Sequence, residues 1–200
     1  MIGIVVANGP SRKDADLSKL PGMGTVIACN QTHELVECDY AVALDKVNYV
    51  KYSEIKDRKF KGLTRLVKTA DKTVELWMEN EYLMPMADIN DHWCNDSGIV
   101  AAGFLATHCK CDTVYLVGFD FFRYREGDPQ PWCYHEAGTL TQGWNNLIDK
   151  HSDTKFIRVG TIPTGKYIVP EFIEKQGGDC FKGSFKQFYD AMKFEKQDTL

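Results

Sequence analysis

The side chains that could bind a small ligand lie in three short polar turns, each next to an apolar segment. They are Asn8-Gly9-Pro10-Ser11, Asn30-Gln31 and Ser97-Gly98. The first two turns follow apolar runs typical of buried strands, and the third begins a run of small and apolar residues typical of a buried helix. Open α/β sheets bind ligands at the carboxyl ends of their strands. The sequence therefore predicts a ligand site along one edge of a sheet.

The first turn matches neither of the two common phosphate-binding loops. Gly3 lies inside the apolar run, so the G-x-G-x-x-G spacing is absent, and no Gly-Lys-Ser or Gly-Lys-Thr follows Gly9. Gly and Pro are also the commonest residues of ordinary turns. From these residues alone, a ligand-binding turn and a plain connection between a strand and a helix both remain open.

Strands and helices that would position these turns alternate along the chain. The order of helix and strand over residues 99–119, after earlier strands, indicates a mostly parallel sheet. We predict an α/β fold with helices flanking the sheet, in one domain over residues 1–200, because 44% hydrophobic content suffices for one sizeable core. The predicted strands lie at the amino terminus and at 25–29, 40–44, 64–67, 73–77, 113–119 and 155–159. The predicted helices cover 13–20, 99–108, 136–150 and 184–194.

The overall charge and hydropathy narrow the classes of partner. A formal net charge of −4 gives no general electrostatic attraction for nucleic acid or an anionic membrane, so no nucleic-acid partner is expected. No window approaches the roughly 18 consecutive apolar residues of a spanning helix. The first apolar run also lacks the basic flank and cleavage pattern of a signal peptide. We therefore expect a cytoplasmic protein with no membrane span.

The cysteine pattern favours reduced thiols over disulfides or zinc. Seven cysteines form no even framework, so no structural disulfide is expected. Three short Cys/His groupings occur, at 92–94, 108–111 and 133–135, but none contains a Cys-x-x-Cys pair. Structural zinc sites usually carry such pairs. The prediction is that the chain holds no metal.

A loop with unusual composition precedes the predicted helix at 136–150. Residues 123–134 combine Pro, Gly, charged and aromatic residues. Such a composition is typical of a loop. We hypothesise that it forms a lid, near 123–135, that closes over the ligand site.

Five short segments, taken in order, resemble the motifs of the bacterial family-42 sialyltransferases. They are residues 7–11, 29–31, 96–98, 117–122 and 134–135. The segments span about two thirds of the chain, and five matches in order are more specific than any single turn. The resemblance implies a Rossmann-like sheet with a lid, a CMP-activated sialic acid as donor, inversion at the anomeric carbon, and no metal or other cofactor.

The same resemblance implies a role for each matching residue. Asn8 and the backbone of Gly9 would hold the nucleotide phosphate, and Asn30 the ribose or phosphate region. His135 matches the catalytic base, since an imidazole near its usual pKa can take the proton of an acceptor hydroxyl at neutral pH. The full set of implied donor-binding residues is Asn8, Gly9, Pro10, Ser11, Asn30, Gln31, Ser97, Gly98, Asp120, Phe122 and Tyr124.

Two departures from the pattern leave other functions open. Phe122 stands where the family has a tyrosine hydroxyl, and the family's arginine before the Ser-Gly turn is absent. These departures motivate a non-catalytic nucleotide-binding protein as one alternative. A second is a metal-dependent diphosphokinase, because the opening turn and Asp45 also resemble the archaeal 6-hydroxymethylpterin diphosphokinase-like proteins, which use ATP and a divalent metal.

The leading expectation is an inverting glycosyltransferase, a short and divergent relative of the sialyltransferases. Its partners would be a CMP-sugar donor, as co-substrate, and a glycan or other acceptor with a hydroxyl group. The sequence leaves the oligomeric state open, a homo-oligomer included.

Overall fold

In the computed structural model, the described residues include eight short strands and three α-helices for which bounds can be given. The structure describes residues 1–44, 52, 54–57, 59–65, 82–84, 96–119, 137–159, 180–181 and 185–197. The strands are β1 (Ile2–Val6), β2 (Thr25–Cys29), β3 (Tyr40–Val42), β4 (Lys61–Arg65), β5 (Tyr82–Met84), β6 (Thr113–Val117), β7 (Lys155–Val159) and β8 (Cys180–Phe181). The α-helices are α1 (Ser97–Thr107), α2 (Ala137–Lys150) and α3 (Phe185–Gln197).

All the strands belong to one parallel sheet. Their order across the sheet is β5-β4-β3-β2-β1-β6-β7-β8, and every neighbouring pair is parallel. The predicted α/β fold, with a parallel sheet flanked by helices, is confirmed. The strands run outward from β1 to β5 on one side, and β6 then returns to the other side of β1. The strand order thus reverses between β1 and β6, which is where sheets of this kind bind ligands.

Helices cover both faces of the sheet, which explains the continuous apolar run in β1. Ile4, Val5 and Val6 are fully buried. Because successive side chains of a strand point to opposite faces, Val5 packs in one core cluster and its two neighbours pack in the other. The first cluster contains α1 residues and Trp144 of α2, and the second contains Phe188 of α3. Strands buried in this way are apolar at every position.

Helix α1 is buried almost all round, as its small and apolar residues predict. Residues 98–106 are all buried. Asp96 caps the helix, its carboxylate accepting a hydrogen bond from Ile99 N at 2.9 Å. Asp and Ser are both common residues at the N-cap, and here Asp96, not Ser97, occupies that position. Helix α3 buries one face against the sheet, with Phe188, Tyr189 and Met192 inside.

The structure differs from the prediction between β1 and β2. In place of one helix over 13–20, there are two 3-10 helices, Pro10–Asp14 and Leu17–Lys19. Ala15 between them is extended, with φ −91° and ψ 133°. The segment has no apolar period that a longer helix could bury, and short helices depend on such packing. A third 3-10 helix, Asn30–Glu34, follows β2 and was not predicted.

Several strand boundaries also move. The predicted strand at 113–119 ends at Val117, because Gly118 has a φ of +75° and leaves the β region. The strand at 40–44 ends at Val42, and that at 64–67 lies at Lys61–Arg65. The strand at 73–77 and the lid near 123–135 lie outside the described residues. None of the described helices has the length and apolar character needed to cross a membrane.

Candidate functional site at the carboxyl edge of the sheet

The first turn is held against the end of β6 at the point where the strand order reverses. Ala7 N donates to Val117 O at 2.9 Å, and Gly9 N donates to Gly118 O at 2.8 Å. A Cβ on Gly118 would lie 2.6 Å from Ala7 O, so only glycine permits this close approach. The N–H of Gly9 is engaged in this contact. A phosphate at this turn would therefore rely on the other polar groups nearby, including the side chain of Asn8.

An arginine that is not among the predicted donor-binding residues bonds back to the first turn. Arg12 is half-buried in the first 3-10 helix, and its Nη1 donates to the carbonyl oxygen of Asn8 and, at 3.4 Å, to that of Gly9. The contact fixes the two carbonyls and brings a guanidinium charge to the reversal point of the sheet. The only feature of the sequence that could have indicated this role is the position of a basic residue two places after Pro10.

The second turn is anchored on three sides. Asn30 has a φ of +53°, in the left-handed region that few residues other than glycine adopt, although Asn tolerates it. Its carbonyl oxygen accepts from Tyr52 OH at 2.5 Å and lies 2.8 Å from His33 Nδ1. A carbonyl only accepts, so Nδ1 of His33 carries the proton. On the other side, Asn30 Nδ2 donates to Ser97 Oγ at 3.3 Å.

The third turn joins the start of α1 to the end of β6. Gly98 is buried against Phe119, and a Cβ on Gly98 would lie 2.5 Å from Cε1 of that ring. Ser97 is half-buried and contacts Asn30. The N-terminus of α1, the positive end of the helix dipole, therefore faces the same edge as the first two turns. Of its first N–H groups, those of Ile99 and Val100 are bonded to Asp96.

Two further side chains, neither of them predicted from the sequence, form hydrogen bonds to the ends of β1, β2 and β3. Thr32 is fully buried, and its Oγ1 lies 2.9 Å from the carbonyl oxygens of both Val6 and Cys29. Tyr52 OH also lies 3.1 Å from Val42 O, at the end of β3. The contact of Thr32 with Cys29 is local, but those of Thr32 with Val6 and of Tyr52 with Asn30 and Val42 join segments that the sequence does not show to be neighbours.

Cys29 lies directly before Asn30 but is not suited to act as a nucleophile. Its side chain is buried, and burial, followed by the nearby Asp96 carboxylate, raises the pKa of the thiol well above its usual range. A thiol of this kind stays protonated at neutral pH and is inert. Cys38, Cys109 and Cys111 are likewise free thiols with raised pKa values.

The structure brings together most of the predicted donor-binding residues that it describes. Asn8, Gly9, Asn30, Ser97 and Gly98 are connected through the contacts above. Pro10 begins the first 3-10 helix with Ser11 beside it, and Gln31 is exposed next to Asn30. The remaining candidates lie outside the described residues, namely His135, Asp120, Phe122, Tyr124 and Asp45.

The described part of this edge offers amides, a hydroxyl, a helix N-terminus and the guanidinium of Arg12, and the buried Arg158 guanidinium lies beside it, 3.5 Å from Phe119 O. This set suits a ligand that carries a phosphate, because each group can donate to or attract an anion. Asp96 is engaged as the cap of α1. Within the described ranges, no three His, Cys, Asp or Glu side chains are grouped closely enough to hold a metal ion.

The fold is similar to that of solved sialyltransferases. The sialyltransferase CstII from Campylobacter jejuni, in complex with cytidine-5′-monophosphate, aligns with a TM-score of 0.55 over 92% of this chain and 86% of its own, at 16% identity. A complex of the sialyltransferase CST-II with a trisaccharide acceptor and CMP aligns with a TM-score of 0.55 over 92% of this chain and 87% of its own, at 15% identity. No protein-family model and no curated protein sequence matches the chain. The shared property is therefore the fold.

Proposed function

We propose that this protein is a glycosyltransferase of the sialyltransferase type. It would transfer a sugar from a CMP-sugar donor to a hydroxyl group of a glycan or other acceptor, with inversion at the anomeric carbon. The observation that carries the proposal is the contact between Asn30 Nδ2 and Ser97 Oγ at 3.3 Å. It gathers two of the three polar turns at the strand-order reversal of a fold shared with sialyltransferases solved with CMP.

The polar groups of this edge fit the departure of CMP. When the bond between the anomeric carbon and the phosphate oxygen breaks, its electron pair leaves with the phosphate. The N-terminus of α1, the Asn8 and Asn30 amides and the Arg12 charge would stabilise that anion without a metal. Stabilisation of the leaving group in this way requires donors that are already oriented, and the contacts of Asn30 and Arg12 supply that orientation.

The acceptor hydroxyl would attack the opposite face of the anomeric carbon, which inverts it. The proton of that hydroxyl would pass to His135, the base that the family resemblance implies. Closure of the segment near 123–135 would exclude water, so that the sugar is transferred to the acceptor rather than hydrolysed.

Two measurements test this function. The first is a thermal-shift series with CMP, CDP, UDP, GDP and ATP, each with Mg²⁺ and with EDTA. A ligand at about one hundred times its dissociation constant stabilises a fold by roughly 2.7 kcal/mol, so the correct nucleotide should stand out. We expect CMP to give the largest shift and EDTA to leave it unchanged.

The second measurement is the release of CMP from CMP-sialic acid, with and without a lactoside acceptor. We expect acceptor-dependent release. Stabilisation by ATP only in the presence of Mg²⁺ would instead favour the diphosphokinase. Binding of CMP with no turnover of the CMP-sugars tested would favour the non-catalytic nucleotide-binding protein.

A further inference from the structure

The backbone of Asn30 adopts a conformation that its surroundings must maintain. A φ of +53° in a residue other than glycine is unfavourable for an isolated chain. Such conformations persist only where neighbouring groups over-determine them, and they are concentrated at functional sites. The groups that hold Asn30 are therefore part of what makes its side chain available to a ligand.

Tyr52 is the group best placed to maintain this conformation. Its side chain is fully buried, and its hydroxyl lies 2.5 Å from Asn30 O and 3.1 Å from Val42 O. A single hydroxyl therefore links the second turn to the carboxyl end of β3. Because these bonds fix the direction of the Asn30 carbonyl, they also fix the backbone conformation of Asn30 and the direction in which its side chain leaves the main chain.

Two further rings keep the Tyr52 hydroxyl in place. The His33 ring meets the Tyr52 ring edge-on, with centroids 4.7 Å apart and an interplanar angle of 74°. The Phe60 ring contacts both, at 5.4 Å from Tyr52 and 5.3 Å from His33. Edge-to-face packing of this kind restricts ring rotation. His33 adds a second donor to the same Asn30 carbonyl.

We propose that Tyr52 is a positioning residue, which holds Asn30 in its left-handed conformation and thereby aims the Asn30 amide at Ser97 and the bound nucleotide. Tyr52 itself does not contact the nucleotide in this account. The proposal rests on the proposed function only where it assigns a nucleotide to the site; the effect of Tyr52 on the Asn30 backbone is independent of it.

The positioning role of Tyr52 can be tested against a second buried tyrosine whose hydroxyl also donates to the main chain. Tyr189 of α3 is also buried, at 3% exposure, and its hydroxyl also donates to a backbone carbonyl, that of Asp16 at 2.9 Å. Tyr52→Phe and Tyr189→Phe therefore each delete one hydroxyl that donates to the main chain, shared in Tyr52 between the carbonyls of Asn30 and Val42. Urea unfolding should show a similar loss of stability in the two variants.

Only Tyr52→Phe should change the site. We expect the dissociation constant for CMP, measured by calorimetry, to rise roughly threefold to tenfold in Tyr52→Phe, the range that loss of one hydrogen bond gives, and to stay unchanged in Tyr189→Phe. The three-bond HN–Hα coupling and the Cα chemical shift of Asn30, measured by NMR without ligand, should change in Tyr52→Phe alone.

A double variant shows whether Tyr52 acts through the Asn30 side chain. Asn30→Gly removes the amide but accepts a positive φ without strain. In that background, Tyr52→Phe should cause no further loss of CMP affinity. A further loss as large as in the wild-type background would overturn the positioning role, because Tyr52 would then act by another route.

The two proposals fail in different ways. If the wild-type protein does not bind CMP, the proposed function fails, and the NMR measurement alone decides the role of Tyr52. An Asn30 coupling and shift that stay the same in Tyr52→Phe would overturn the positioning role, whatever the protein binds. Unchanged CMP affinity in that variant, with a wild-type protein that does bind CMP, would overturn it too.

Discussion

Asn30 and Ser97 lie 67 residues apart in the chain, and the amide of one donates to the hydroxyl of the other at 3.3 Å. The contact joins the end of β2 to the start of α1. Beside it, Gly98 packs on Phe119, and Gly9 is bonded to Gly118. Each of the three polar turns is therefore fixed by at least one contact that crosses between strand ends. These contacts hold the three polar turns next to one another at the carboxyl edge of the sheet.

The side chain of Asn8 is predicted to contact the nucleotide. Asn8→Ala should weaken CMP binding by about 1–3 kcal/mol if the amide is buried against the ligand, as measured by calorimetry. Ser18→Ala is the control, because Ser18 is exposed and bonds only locally to Asp16 in the described contacts. Equal affinities of Asn8→Ala and the wild type for every nucleotide tested would contradict the placement of the ligand at this turn.

The guanidinium of Arg12 should attract the phosphate of CMP as well as hold the first turn in place. Arg12→Gln is expected to weaken CMP binding by roughly 1–2 kcal/mol, a charged contact discounted for its partial exposure, and to weaken cytidine binding much less. The dependence of CMP affinity on salt should also fall. Lys13→Gln removes the same charge from the adjacent, exposed position and should have little effect. If cytidine affinity falls as far as CMP affinity, Arg12 only braces the turn.

Substitution of Gly118 by alanine should destabilise the protein far more than the same substitution at Gly22, a glycine with a similar backbone conformation. Gly22 has a φ of +79° with nothing within 4 Å of a Cβ, whereas a Cβ on Gly118 meets Ala7 O at 2.6 Å. Gly22→Ala should cost about 1–2 kcal/mol of unfolding free energy from the left-handed backbone alone. Gly118→Ala should cost about 1–3 kcal/mol more, because the first turn must move. Urea denaturation measures both, and equal losses would show that the close approach carries no energetic weight.

His135 is predicted to act in catalysis and not in nucleotide binding. His135→Ala should lower the transfer rate by roughly two to four orders of magnitude, the usual contribution of a general base. Affinity for CMP should remain close to that of the wild type, so the change appears in kcat. His151 offers a control, because it lies beside Thr107 at the opposite end of α1 from the site, and His151→Ala should retain activity. Full transferase activity in His135→Ala would exclude this histidine as the base.

The sequence predicted the elements that depend on local pattern. The strands β1, β2 and β6 are apolar runs long enough to recognise, and β7 was predicted from its apolar residues Phe156, Ile157 and Val159. Asp96 stands directly before a helix that is marked by its small and apolar residues. Strands β5 and β8 were not predicted, because three and two residues are too short to show a period.

The parts of the site that escaped prediction depend on long-range contacts. The left-handed conformation of Asn30 was not predicted, since of the groups that hold it only His33 is near in the chain, while Tyr52 and Ser97 are distant. Arg12 was not predicted to belong to the site, because a basic residue after a turn is usually a solvated surface side chain. The polar turns themselves could be predicted, because their residue types and their places at strand ends are local properties.

The sheet order has a consequence for how the chain acquires its structure. β1 pairs with β6 from Ile2–Thr113 to Val6–Val117, so one side of the first strand stays unpaired until a segment more than one hundred residues later is available. During synthesis at about 5–20 residues per second, that interval lasts roughly 6 to 22 seconds. The first turn, which is bonded to Gly118, can only become ordered at the end of this interval. Ligand-binding competence should therefore arise late and in one step, as β6 is inserted, rather than grow gradually with the length of the nascent chain.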